Sequence, residues 1–312
     1  MNILVTGANG FIGKATCATL RQAGHAVTPT VRRPASLAGE QVIGDIGAQT
    51  DWRAALSGMD GVVHLAARVH VMRDAAADPL TQYRVVNVEG TLHLARQAAA
   101  AGARRFVFVS SIKVNGEERA KPYTEADAPQ PEDDYACSKW ETEQGLWKIA
   151  TQTGLEVVIL RPPLVYGPGV GANFLALLRA VARGMPLPLG AIHNQRSLVY
   201  IGNLTDAIIH CLEHPAAAGK TFLVSDGEDV SMPELIRRIA AALGRPVRLL
   251  PVPPSLLRML ATLTQKSALA RRLMDSLALD STAIRHTLNW SPPFTLNEGL
   301  RKTTAWYLGQ KK

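Results

Sequence analysis

Cysteine is scarce in this chain: Cys17, Cys137 and Cys211 stand far apart among 312 residues and in no paired spacing. Neither a disulfide framework nor a thiolate zinc site is expected from them. Long apolar runs are missing too, since none approaches the roughly 18 residues that a membrane helix needs. Met1 leads straight into a short apolar segment without a basic stretch before it, so neither a secretory leader nor a membrane span is expected, and a reducing cytoplasm is. Low-complexity tracts and internal repeats are lacking. With 47% hydrophobic and 19% charged residues, the composition excludes disorder, collagen and a coiled-coil rod. The length fits one large or two unequal domains around a sizeable core.

Charge of one sign is in excess, but only locally. The 34 Lys and Arg exceed the 26 Asp and Glu by eight. From Met232 to Lys312 there are 13 basic against 4 acidic residues, whereas the first 231 residues hold 21 against 22. The basic residues of this last quarter lie among apolar ones, without the aromatic interleaving of an RNA-binding platform. They point to an anionic small molecule rather than to nucleic acid, with a solvated basic surface as the plainer alternative.

Short apolar runs at Ile3–Thr6, Ala26–Val31, Gln41–Ile46, Val62–Ala67, Arg105–Ser110 and Val157–Leu160 read as buried strands. Amphipathic stretches such as Ile12–Ala23, Leu80–Ala101 and Tyr135–Thr153 lie between them. That alternation predicts an α/β fold with a doubly wound parallel sheet of the Rossmann type, with ligands beyond the carboxyl ends of the strands. After Arg161 the rhythm turns to Pro- and Gly-rich connections and helices with isolated strands near Ser197–Ile201 and Thr221–Val224. This predicts a dinucleotide-binding domain over 1–165, to which a segment near 196–212 returns, and a smaller interleaved substrate domain over 166–312.

Thr6-Gly-Ala-Asn-Gly-Phe-Ile-Gly13 follows the first strand and opens the first helix. Glycine permits a tight turn and close approach of backbone to phosphate, and a helix N-terminus offers free N–H groups and the positive end of its dipole. Gly7, Asn9, Gly10, Phe11, Ile12 and Gly13 are therefore expected to cradle a dinucleotide. No acid ends the second strand, where one would hold the ribose hydroxyls of NAD. Arg32 and Arg33 stand there instead. Paired guanidiniums suit a 2′-phosphate, so NADP(H) is favoured over NAD.

Tyr135 and Lys139 are four residues apart in a stretch expected to be helical, which puts both on one face. A nearby ammonium should lower the phenol from its reference pKa of about 10 and make the pair a proton-transfer device. Ser111, at the end of the preceding strand, can hydrogen-bond a reacting oxygen. His64, His70, His93 and His210 have no partners at ligand spacing and read as structural, so no metal is expected.

Together these segments resemble the extended short-chain dehydrogenase/reductases, in particular the NAD(P)-dependent epimerase/dehydratase family acting on nucleotide sugars. The G-x-x-G-x-x-G spacing, Val63-His-Leu-Ala-Ala67, Asn87 in Val-Asn-Val-Glu-Gly-Thr and Leu160-Arg-Pro-Pro-Leu-Val-Tyr-Gly-Pro168 carry the likeness. The resemblance implies that Asp45 contacts the adenine end, with a turn-forming Asp beside Gly44 and Gly47 as an equal alternative. It implies that Ile46, Leu65, Ala66, Ala67 and Pro162 line the cofactor, that Asn87, counted with them, is the helix asparagine supporting the active site, and that Lys139 also meets the nicotinamide ribose. Leu164 stands where the family often has Asn. Asn173 is a substitute ligand for the sugar or, equally, a helix cap. Arg196 is similar to the family arginine that binds the nucleotide diphosphate, with Arg272, or its neighbour Arg271, as a second.

The resemblance also implies a homodimer and one of three reactions at C4. Dehydration needs an Asp-Glu pair after the Ser, and this chain has Ile112-Lys113. Reduction of a UDP-4-keto sugar is expected ahead of 4-epimerisation of a UDP-sugar of the glucose or N-acetylglucosamine type, because Arg32 and Arg33 favour an exchanging NADPH. A non-catalytic dinucleotide sensor has no need of Ser111, Tyr135 and Lys139 together.

Overall fold

A computed structural model describes residues 1–69, 78–119, 121–264 and 267–310; His70 lies outside the described residues. The strands are β1 (Asn2–Thr6), β2 (Ala26–Val31), β3 (Gln41–Val42), β4 (Gly61–His64), β5 (Arg105–Val109), β6 (Glu156–Arg161), β7 (Leu164–Tyr166), β8 (Arg196–Tyr200), β9 (Lys220–Leu223) and β10 (Asp229–Val230). Seven form one parallel sheet in the order β3-β2-β1-β4-β5-β6-β9. The chain runs outward from β1 on one side and resumes at β4 on the other, so a crevice opens at the carboxyl ends of β1 and β4.

Continuous apolar runs suit strands covered on both faces, and side chains alternate between those faces. Ile3, Val5, Val63, Val107 and Val158 join one core cluster with Leu204 and Ile208 of the helix Ile201–Glu213. Leu4, Val62, Phe106, Phe108 and Val157 join another with Leu94 and Leu146, from the helices Thr91–Ala100 and Asp134–Thr153. A second sheet has the order β10-β8-β7, with β7 and β8 parallel. Its aromatic core includes Tyr166, Phe174 and Tyr200.

Three features differ from the sequence reading. The third strand is two residues long, because the chain turns at Gly44, whose φ is +71°. The stretch 80–101 is a helix Pro79–Tyr83, a π-helical segment Arg84–Gly90 and the helix Thr91–Ala100. In the segment 196–212, β8 pairs in the small sheet, while the helix Ile201–Glu213 packs on Phe11–Gln22; the strand that completes the large sheet is β9. The helix Pro254–Leu263 has no buried residue.

Candidate active site

The turn after β1 lies against the end of β4. Gly7 has φ +63°, and a Cβ there would stand 2.9 Å from the Ala66 nitrogen; a Cβ on Gly13 would strike the Gly7 carbonyl. Gly10 begins the helix Phe11–Gln22 with no side-chain cap and no acid in the first turn. That leaves a helix N-terminus shaped by glycine, with no carboxylate to compete for an anion. A dinucleotide pyrophosphate fits this donor set; the turn that carries Gly7, Asn9, Gly10, Phe11, Ile12 and Gly13 meets the segment Leu65, Ala66 and Ala67 where Gly7 abuts Leu65 and Ala66.

Thr6 was not singled out from the sequence, yet it fixes this crevice. Its Oγ1 accepts from the Leu65 and Ala66 N–H groups at 3.1 Å each and lies 2.8 Å from His64 Nδ1. His64 Nε2 lies 2.8 Å from Thr91 Oγ1. With two N–H donors already on Thr6, its hydroxyl proton goes to Nδ1 and Nε2 carries the ring proton. Burial, and then the Lys139 charge, lower His64 to about 3. His64 is thus a neutral, doubly bonded clamp between strands and helix. His93 Nε2 meets the Thr50 carbonyl at 3.0 Å, and His210 Nδ1 meets that of Asp206 at 3.0 Å.

At the exits of β2 and β3, the Arg32 guanidinium lies 3.5 Å from the Asp45 carboxylate, both exposed, with Arg33 exposed beside them. Ile46 stands close against Gly90. The Asn87 amide is taken up within the protein: Oδ1 accepts from Arg68 N–H at 2.8 Å, and Nδ2 donates to Arg68 O at 3.1 Å and to Ser138 Oγ at 2.9 Å. It clasps the loop after β4 to the helix Asp134–Thr153, a role for which the π-helical turn displaces it from regular helix geometry. Its amide thus ties two segments of the protein together.

Asp133 caps that helix by accepting from Ala136 N–H at 2.7 Å. Lys139 is buried; its Nζ donates to the Val109 carbonyl at 2.9 Å and lies 4.4 Å from the Phe108 ring centre and 5.9 Å from that of Tyr135. Burial lowers Lys139 to about 7, against the opposing pull of Glu143. Tyr135 is pushed above the usual phenol range by burial first, then by Asp133 and Tyr83. The expected lowering of the phenol by the ammonium is thus reversed in the free protein, because desolvation outweighs the pair's mutual field.

Ser111 is half-buried and accepts from Lys113 N–H at 3.3 Å. Its neighbour Ser110 is buried and donates to Glu143 at 2.5 Å. Glu143 also takes Arg161 Nε at 3.0 Å and Nη2 at 2.5 Å, and Arg161 Nη1 donates to Asn115 Oδ1 at 2.9 Å. Sequence reasoning missed this network, although Glu143 lies four residues beyond Lys139 on the same helix. Pro162 is buried just after it, and its carbonyl accepts from Ile112 N–H at 3.0 Å.

Beyond Ser111, a cavity of about 90 Å³ is lined by Lys113, Glu117, Glu118, Glu132, Arg196, Arg271, Arg272, Asp275 and Leu277. It brings together the arginines singled out from the sequence. Arg196 Nη1 donates to the Asp275 carbonyl at 2.8 Å, and burial lowers its pKa. Asn173 does not line this cavity: it is an exposed residue in the first turn of the helix Ala172–Ala182, and Gly171 is the cap position. The cap reading of Asn173 is therefore corrected. Leu164 is exposed at the start of β7.

Residues 3–225 match the NAD dependent epimerase/dehydratase family. The chain belongs to that family. Among its curated relatives, a UDP-glucose 4-epimerase of Vibrio cholerae is 45% identical over 98% of this chain and 95% of its own length. An N-acetyl-alpha-D-glucosaminyl-diphospho-ditrans,octacis-undecaprenol 4-epimerase of Escherichia coli O157:H7 is 28% identical over 98% of this chain and 95% of its own. Among solved structures, MoeE5 in complex with UDP-glucuronic acid and NAD is 26% identical, with a TM-score of 0.79 over 99% of this chain and 100% of that one. These likenesses run over nearly the whole chain, and no described helix is long and apolar enough to cross a membrane.

Proposed function

We propose that this protein is a UDP-sugar 4-epimerase that holds NAD. The observation that carries the reading is the 45% identity to a UDP-glucose 4-epimerase over 98% of the chain. It outweighs the net reduction favoured from Arg32 and Arg33. The pairing of Arg32 with Asp45 supports NAD over NADP(H), because a carboxylate beside the guanidinium repels a 2′-phosphate and accepts from a ribose hydroxyl.

NAD, when bound, supplies a hydride acceptor that later returns the same hydride to C4. Gly7, Asn9, Gly10, Phe11, Ile12 and Gly13 hold its pyrophosphate, while Arg32, Arg33, Asp45 and Ile46 serve the adenosine end. Leu65, Ala66, Ala67 and Pro162 line the remainder, with Asn87 supporting that wall. Tyr135 takes the proton from the C4 hydroxyl and gives it back, Ser111 donates a hydrogen bond to the same oxygen, and Lys139 supplies the positive charge that favours phenolate. Arg196 and Arg272, with Arg271 beside them, hold the diphosphate, and Asn173 approaches the sugar from the small domain. Two copies pair through the outer faces of the helices Thr91–Ala100 and Asp134–Thr153, where Leu92, Trp140 and Ile149 line an open groove; sedimentation velocity checks this.

The reaction is tested by incubating the purified protein with UDP-glucose and, separately, UDP-N-acetylglucosamine, following C4 epimers by NMR and nicotinamide absorbance together. Interconversion without net oxidation of NADH or NADPH, and NAD released on denaturation, is the expected result. Stoichiometric NADPH consumption with a 4-keto substrate would return the reading to reduction.

A further inference from the structure

The helix Pro254–Leu263 touches the rest of the protein through one side only. Leu257 is partly buried against the second-sheet core, whereas Leu256, Met259, Leu260 and Leu263 are 41%, 53%, 47% and 74% exposed. Their spacing, i, i+3, i+4 and i+7, sets them in one stripe along the helix. Val247 and Leu250, also exposed, precede it. An apolar stripe of this kind on the surface needs an occupant.

The charge around the stripe says which. From Leu235 to Met274 the chain has eight Lys and Arg and not one Asp or Glu. Arg237 and Arg238 pair with Glu234, Arg258 with Asp275 and Arg271 with Glu132, so Arg245 and Arg248 carry the charge that matters here. Arg245, Arg248 and Arg258 are exposed there. Two such surfaces would repel each other, which disfavours a second copy of the chain. Apolar side chains flanked by cations match an anionic lipid surface, where the first enter the acyl boundary and the second meet headgroup phosphates. We propose that the helix Pro254–Leu263 docks the protein peripherally on an anionic phospholipid membrane. Arg258 Nη2 lies 3.0 Å from Asp275 Oδ1, and Asp275 lines the arginine cavity, so docking sets that cavity near the bilayer. The proposal goes beyond 4-epimerisation and is independent of it.

Flotation with vesicles of phosphatidylethanolamine and phosphatidylglycerol, compared with phosphatidylcholine alone, tests it. The wild-type protein should float with the anionic vesicles about tenfold more readily than with the neutral ones, in a salt-sensitive way. The combined substitution Leu256→Asn, Met259→Gln, Leu260→Asn and Leu263→Gln should abolish flotation while leaving turnover of a soluble nucleotide sugar and the circular dichroism melting curve unchanged. Arg245→Gln with Arg248→Gln should weaken flotation without touching the stripe. Wild-type protein that stays in the soluble fraction would overturn the proposal, as would a stripe variant that floats like wild type. Reversible self-association that disappears in the stripe variant would assign the face to a second copy instead.

Discussion

Lys139 and Arg161 are buried cations that both lie in the field of Glu143, yet their surroundings differ. Arg161 is held by both oxygens of Glu143 and by Asn115. Lys139 has one carbonyl at 2.9 Å and the faces of two aromatic rings. The desolvation of the first is offset by a matched anion, and removing either partner would strand a charge. The desolvation of the second is not, and its pKa falls to about 7. Around one carboxylate, full pairing marks a cation at the end of β6 that holds the fold, and partial pairing marks a helix cation free to change charge beside the reacting phenol.

The largest effect should come from the free-charge side. Tyr135→Phe should cut turnover about 10²- to 10⁴-fold with unchanged melting temperature and dinucleotide content; near-normal turnover would remove the phenol from the proton path. On the paired side, Arg161→Met should cost about 3–5 kcal/mol of stability by leaving Glu143 buried without its cation, read from urea unfolding. If its unfolding midpoint stayed put while turnover collapsed, the contrast between the two cations would be wrong.

Arg196 is an intermediate case, half-buried and bound to one carbonyl on the rim of a cavity. Arg196→Ala should weaken UDP binding in calorimetry by about 1.5–3 kcal/mol, with little loss of stability; unaltered binding would move the diphosphate elsewhere. The smallest effect is a slope. Folded Lys139 titrates at about 7 and the unfolded side chain at about 10.4. Between these values the unfolded chain binds a proton that the native one does not. Stability should therefore rise with pH over that window by up to about 1.4 kcal/mol per pH unit from this group. Lys139→Met should flatten that rise in urea midpoints taken across the window; an equal slope in both proteins would show that Lys139 keeps its charge.

What the sequence made legible was carried by local chemistry. Strands covered on both faces spell themselves out as apolar runs, so β1, β2, β4, β5 and β6 fall where Ile3–Thr6 to Val157–Leu160 place them. The glycines of the first turn and the Tyr135–Lys139 spacing are equally local. Arg271 and Arg272 lie in the quarter whose basic excess pointed to an anionic ligand, whereas Arg196 lies outside it and was legible only through the family resemblance. Other features depend on depth and partners that spacing does not encode. Ser110 and Ser111 are neighbours, and only the packing of Glu143 separates the core hydroxyl from the cleft one. The π-helical turn at Arg84–Gly90 looks helical in periodicity. The pKa directions of Tyr135 and Lys139 follow from burial, so reading them as an isolated pair gave the phenol shift the wrong sign.

The place of β9 bears on how this chain can be made. It pairs with β6 along Val158–Arg161, but it is synthesised some sixty residues later, after β7 and β8 have left for the small sheet. Until Leu223 clears the ribosome, β6 is an open edge whose four central residues, Val157–Leu160, are apolar, a surface prone to pairing with other chains. The dinucleotide half is therefore not a module that can be cut away at residue 165. A nascent or proteolysed chain ending there would carry the glycine turn and the Tyr135–Lys139 helix intact, yet it should aggregate through β6.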